Sequence, residues 1–168
     1  YSIGAYQVSD SAFRLNVVYM NDSVGTHLNV FTEEGAQNGQ LYLNLLGLDK
    51  LNKQLEPYPD GTFDFVPGYT IIPGQGRIIF PVLEPFGRHM EAQLQDVPDN
   101  LREKYIFKEL YDSTLTVASQ TAEKNKYPLT GSYKSSGGAE ISLNAFNIPR
   151  GSVVVTAGGL RLTENVDY

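Results

Sequence analysis

The residues with the chemistry to act on another molecule are few and widely spaced. His27 and His89 are the only side chains whose unperturbed pKa lies near neutrality. They fall in separate segments, with no Cys and no HExxH partner to make a metal or base pair of either. Asp49, Asp60 and Asp64, with Asn52 close by, offer hard oxygen ligands of the kind calcium takes, but their spacing does not match an EF-hand loop. The competing expectation is that Asp60-Gly61 turns the chain and Asp64 faces solvent between buried Phe63 and Phe65. Asp64 and Glu84 could also be imagined as the carboxylate pair of a glycoside hydrolase, which needs roughly 5–9.5 Å between the groups. There is no GxSxG elbow, GxxxxGK[ST] loop or GxGxxG turn. The residues therefore imply no catalytic, cofactor-binding or metal-binding set.

The bulk composition narrows the classes further. A chain of 168 residues suits one module, and 41% hydrophobic residues can build a core. A formal net charge of −6, with the basic residues scattered, argues against nucleic acid as a partner and against a polybasic membrane anchor. The absence of cysteine excludes disulfides, thiol catalysis and Cys-based zinc sites. No run approaches the roughly 20 apolar residues of a spanning helix. Eleven tyrosines without a tryptophan leave open a carbohydrate-binding β-sandwich. Tyrosine on a half-buried strand more often buries its ring and hydrates its hydroxyl. The start at Tyr1 and the strand-like end at Leu160 to Tyr168 suggest a piece of a longer protein.

The elements that must position these residues are mostly strands. Ala12 to Met20 alternates, with Phe13, Leu15, Val17 and Tyr19 on one face, and Thr26 to Phe31 is its expected hairpin partner. Glu33 to Gly39 reads as a loop. Gln40 to Leu48 sets Leu41, Leu43 and Leu45 on one face of a further strand, and Asp49 to Glu56 is a polar stretch expected as a helical turn before Pro57 stops it. Asp60 to Gly87 is punctuated by Gly and Pro into short strands at Thr62–Phe65, Tyr69–Ile72 and Arg77–Phe80. Pro73-Gly74-Gln75-Gly76 is the hairpin loop between the last two, and Pro81 and Pro85 push the chain off any central ladder.

Helix signals fall between about residues 98 and 125. Pro98 suits a first turn, with Asp96 or Asp99 as cap, and Leu101, Tyr105 and Leu110 form the apolar stripe. A second helix is expected over Ser113 to Lys124, capped by Asp112. Pro128–Lys134, Glu140–Phe146, Ser152–Ala157 and Leu160–Thr163 then read as a C-terminal β-meander. The fold class expected is mainly β with α+β character: antiparallel strands, a meander and one helical insertion. The domain expected is a single β-rich module over residues 1–168 with lobes at 1–95 and 96–168.

Several phrases of this chain carry a resemblance. DGTFDFVPGYTI, GRIIFPVLEPFG, KYIFKELYDSTLTVA and AEKNKYPLTGSYKSSGGAEISLNAFNIPRGSVVVTAGGLRLTENVDY occur in that order. Together they resemble the SprA/Sov family of gliding-motility and type IX secretion proteins. The resemblance covers most of the chain and is densest in its central and C-terminal parts. It implies a fragment of a very large outer-membrane β-barrel translocon, located in the cell outer membrane, without enzymatic activity and without a cofactor. The partners it implies are the remainder of the parent barrel, accessory outer-membrane and plug proteins, and passing secreted cargo.

Overall fold

The computed structural model describes residues 1–21, 25–134, 147, 149, 151–157 and 160–163. The chain divides into two compact units, Tyr1–Gly137 and Gly138–Tyr168. The lobe boundary expected near residue 95 falls inside the first unit, where strands from before and after that point pair with one another.

The alternating run that follows Ala12 forms β1 (Arg14–Val17), with Leu15 and Val17 buried and Arg14 and Asn16 exposed. Its partner is β6 (Leu129–Ser132), antiparallel, in a register from Arg14 opposite Ser132 to Val17 opposite Leu129. Beyond Val17 the Val18 N–H still reaches the Pro128 carbonyl at 3.2 Å, and Met20 N–H reaches Lys126 at 2.8 Å. Proline returns no N–H, so the regular ladder stops there and the run resumes as β2 (Tyr19–Asn21). β2 makes the expected hairpin with β3 (Thr26–Leu28), pairing Tyr19 with Leu28 and Asn21 with Thr26.

The Gln40–Leu48 strand is corrected. Tyr42–Leu45 is a helical turn, α1, closed by Leu45 N–H to Leu41 and Leu46 N–H to Tyr42. Tyr42, Leu43, Leu45, Leu46 and Leu48 are all buried. A strand would send alternate members of that set to opposite faces, whereas a tight turn surrounded by the core buries them all. Thr62–Phe65 forms no ladder. β4 (Ile71–Ile72) and β5 (Arg77–Ile78) pair as expected, joined by a 3-10 turn over Pro73–Gln75. The start of the chain extends this pair, because Ser2 bridges Arg77 and the Ile78 N–H donates to the Tyr1 carbonyl.

Helix begins earlier than the composition suggests. α2 spans Arg88–Gln93 and buries Met90, and Leu94 and Val97 are buried in the turn that follows it. α3 (Asp99–Arg102) has Pro98 in the capping position and no side-chain cap, so neither Asp96 nor Asp99 plays that role. The Leu101, Tyr105 and Leu110 stripe is divided among α3 and 3-10 turns at Glu103–Tyr105 and Lys108–Leu110. α4 is Leu115–Gln120, and its cap is Thr114, whose hydroxyl accepts from the Val117 N–H, in place of Asp112.

The centre of the first unit is aromatic. Tyr19 lies against Tyr105 at 4.5 Å between ring centroids, and Phe86 stacks on Tyr127 at 4.8 Å. Each ring taken from water stabilises the fold by roughly 1.5–3 kcal/mol. In the second unit, β7 (Thr156–Ala157) pairs antiparallel with β8 (Leu160–Arg161). The strand expected over Glu140–Phe146 lies outside the described residues. The fold is α+β, built from short antiparallel pairs, and among the described residues no sheet exceeds two strands and no barrel closes.

Candidate functional site

The acidic residues converge, but on the backbone. Four residues past the end of α1 the chain buries Asp49, which is only 1% exposed. One carboxylate oxygen of Asp49 accepts from the Asp60 N–H at 3.1 Å and the other from the Gly61 N–H at 3.0 Å. The side-chain amide of Asn44 donates to the Asp49 carbonyl at 2.8 Å. Asp64 turns inward in the same way: it accepts from the Lys50 N–H at 2.6 Å and the Leu51 N–H at 3.1 Å. Its own N–H reaches the Leu48 carbonyl at 2.9 Å. The expectation that Asp64 faces solvent is therefore corrected, and Phe63 and Phe65 beside it are half-buried, packed edge-on to Phe13.

Asp60 closes the turn as expected. Its carboxylate accepts from the N–H and hydroxyl of Thr62. Asn52 holds the preceding turn, accepting from the Gln54 N–H at 2.9 Å and the Glu56 N–H at 3.0 Å while donating to the Glu56 carboxylate. Three carboxylates and an amide thus pin residues 48–64 into an irregular shape that no ladder supports.

Burial pushes the Asp49 carboxyl above its ordinary range, against the pull of the Asp60 and Gly61 N–H groups, and the charges of Asp64 and Asp60 add to the rise. Asp64 is raised for the same first reason, opposed by the Lys50 and Leu51 N–H groups. Beside them lies a cavity of about 430 Å³ lined by Arg14, Asn16, Leu51, Asn52, Asp60 and Asp64 among others. Among the described residues, no three His, Asp or Glu side chains are grouped to hold a metal ion.

The remaining candidates are separated. His27 is exposed on β3, opposite Met20. His89 donates from Nε2 to the Leu45 carbonyl at 2.8 Å, tying α2 to α1. The acceptor is a carbonyl, so this nitrogen must carry the hydrogen. Glu84 pairs with Arg88, which also lies 4.0 Å from Asp112, so Glu84 and Asp64 serve different partners.

No family model matches the chain, and no curated protein matches it.

One polar cluster carries no sequence signal at all. Glu33, in the expected loop, accepts from the Tyr105 hydroxyl at 2.8 Å and pairs with Lys104 at 2.5 Å. The Lys104 hydrogen bond draws its carboxyl below the usual range, opposed by partial burial and helped by the Tyr105 bond. Burial raises the Tyr42, Tyr105 and Tyr127 hydroxyls, and holds Tyr111 at about 12, so all four stay protonated; the Tyr111 hydroxyl accepts from the Phe86 N–H at 3.0 Å. Two tyrosine hydroxyls are taken up by main-chain carbonyls: that of Tyr19 donates to the Lys104 carbonyl, and that of Tyr127 to the Tyr105 carbonyl. A Glu and a Tyr separated by 72 residues meet only because the chain folds back, so nothing in the local pattern could have joined them.

Proposed function

We propose that this chain is a non-enzymatic structural and transport module of a type IX secretion outer-membrane translocon, serving protein secretion and gliding motility. The observation that carries the reading is the ordered set of phrases from Asp60 onward that resembles the SprA/Sov family. The non-enzymatic character is supported by the commitment of Asp49, Asp60 and Asp64 to backbone donors, which leaves no general base beside a nucleophile in that cluster.

On this reading the C-terminal strands continue as a meander, Pro128–Lys134 through Leu160–Thr163, into neighbouring strands of the parent barrel. Short pairs such as β1–β6 and β7–β8 suit a module that completes its sheets against adjoining chain. The module resides at the cell outer membrane, and its partners are the rest of the barrel, accessory outer-membrane and plug proteins, and passing cargo. It acts by shape and surface, without turnover.

The test is genetic. Deleting the segment in frame from its parent gene in a gliding bacterium is expected to retain cargo inside the envelope and abolish colony spreading. Normal secretion and spreading, or a parent gene of ordinary size without further alternating strand units, would remove the proposal.

A further inference from the structure

Asn38-Gly39 is the only Asn-Gly pair in the chain, and the turn at residues 31–40 uses both halves of it. Gly39 sits at a φ of 82°, a conformation glycine enters at little cost and other residues rarely adopt. Its N–H donates to the carbonyl of Phe31 at 2.8 Å, a residue with no exposed surface. The Asn38 side chain is exposed, yet its Nδ2 donates to the Thr32 carbonyl at 3.0 Å and the Glu33 carbonyl at 2.9 Å. The turn is therefore closed by a side-chain amide with both hydrogens engaged.

The same pair is chemically labile, because glycine has no side chain to shield its backbone nitrogen from the preceding amide carbon. We propose that Asn38 is a conformationally gated deamidation site, with water as the reactant, shielded while the turn is closed and holding the turn open once it has reacted. The Gly39 nitrogen loses its proton and forms a bond to Cγ of Asn38. The Cγ–Nδ2 bond breaks, and Nδ2 departs as ammonia, taking up a proton. Water then adds to one carbonyl of the resulting succinimide and opens it to aspartate or isoaspartate. No electrons are exchanged with another reagent.

The closed turn opposes this step at both atoms. The proton on the attacking nitrogen is held by the Phe31 carbonyl, and the leaving nitrogen is held by two more carbonyls. Reaching Cγ requires those bonds to open first, which is a local unfolding event. After reaction a carboxylate oxygen stands where two donor hydrogens were, facing the Thr32 and Glu33 carbonyls. Acceptor against acceptor does not re-form the turn. Glu33 in that turn binds Lys104 and Tyr105, so the modification loosens the contact between the turn and the segment at residues 103–105.

The test incubates the full chain in warm, mildly alkaline buffer, native and urea-unfolded in parallel, and follows the one-dalton gain at Asn38 by peptide mapping. The native chain is expected to react about tenfold more slowly or slower still. Asn38→Asp, which carries the product's charge, is expected to raise hydrogen exchange of the Gly39 amide by about tenfold. Equal rates in the native and unfolded chains overturn the gating, and unchanged Gly39 exchange in Asn38→Asp overturns the claim that the product opens the turn.

Discussion

The Tyr127 hydroxyl donates to the main-chain carbonyl of Tyr105 at 3.0 Å, with Tyr127 6% and Tyr105 1% exposed. One residue earlier, the Tyr19 hydroxyl donates to the Lys104 carbonyl at 2.9 Å. The 3-10 turn Glu103–Tyr105 ends there, and the end of a helical turn leaves carbonyls without intrahelical partners. Two tyrosines from distant segments supply the missing donors while their rings fill the core. Ring and hydroxyl thus do separate jobs, one apolar and one polar, on the same few residues.

Removing one of those donors exposes its value. Tyr127→Phe keeps the ring but leaves the buried Tyr105 carbonyl unpaired, at an expected cost of about 1–3 kcal/mol. Tyr58→Phe, at a residue 70% exposed, is expected to change stability by less than about 0.5 kcal/mol. Urea denaturation of both variants checks this. Equal midpoints would show that the hydroxyl contributes nothing.

The Glu33–Lys104 pair sets an acid response. The folded-state pKa of Glu33 is lowered, first by its bond to Lys104. Its contribution is therefore fully present above the ordinary carboxylate pKa and disappears as pH falls through the depressed folded value. Lys104→Met removes the partner, so the stability gap between it and the native chain is expected to shrink as pH drops below about 4. Denaturant midpoints measured against pH decide the matter, and a gap that stays constant in acid would contradict the assignment.

Asp49 carries the opposite sign. Its folded pKa is raised by burial, so its contribution is present below the ordinary value and lost as pH rises through the raised one. Asp49→Asn places an amide N–H₂ against the N–H of Asp60 or Gly61 and is expected to cost about 1–3 kcal/mol. Because asparagine does not titrate, that penalty is expected to be larger in mild acid than at neutral pH. Melting curves across that range test both the size and the slope.

The β1–β6 pair depends on a close backbone approach. A Cβ at Gly131 would collide with the Arg14 carbonyl oxygen, in the ladder where Leu15 faces Gly131. Gly131→Ala is expected to destabilise the first unit by about 1–3 kcal/mol. Thr130→Ala, at the exposed neighbour, is expected to stay within about 0.5 kcal/mol. Hydrogen exchange at the Val18 amide, which donates to the Pro128 carbonyl beside this ladder, should rise in the first variant alone.

Local chemistry was legible wherever it acts over a few residues. Phe13, Leu15, Val17 and Tyr19 go inward together because a strand turns alternate side chains to opposite faces. Asp60-Gly61 turns the chain, and Pro73 to Gly76 closes a hairpin, because the backbone preferences of those residues are intrinsic. Gln40 to Leu48 escaped that logic, since a short apolar run buried all round has no period to read. α2 escaped it too, hidden by the stronger proline signal that follows at Pro98.

Only the tertiary structure decided which distant groups meet. Nothing in Leu129 to Ser132 names Arg14 to Val17 as its partner, and nothing in Tyr127 names the carbonyl of Tyr105. The roles of Asp49 and Asp64 were open for the same reason: a carboxylate is equally suited to a cation, a proton or a backbone N–H. Sequence determined which groups need a partner. The fold, by burying them beside main-chain donors from residues 50, 51, 60 and 61, determined which partner they took. The physical reason is that propensity and periodicity act along the chain, whereas the satisfaction of a buried polar group depends on whatever the collapsed chain brings within about 3 Å.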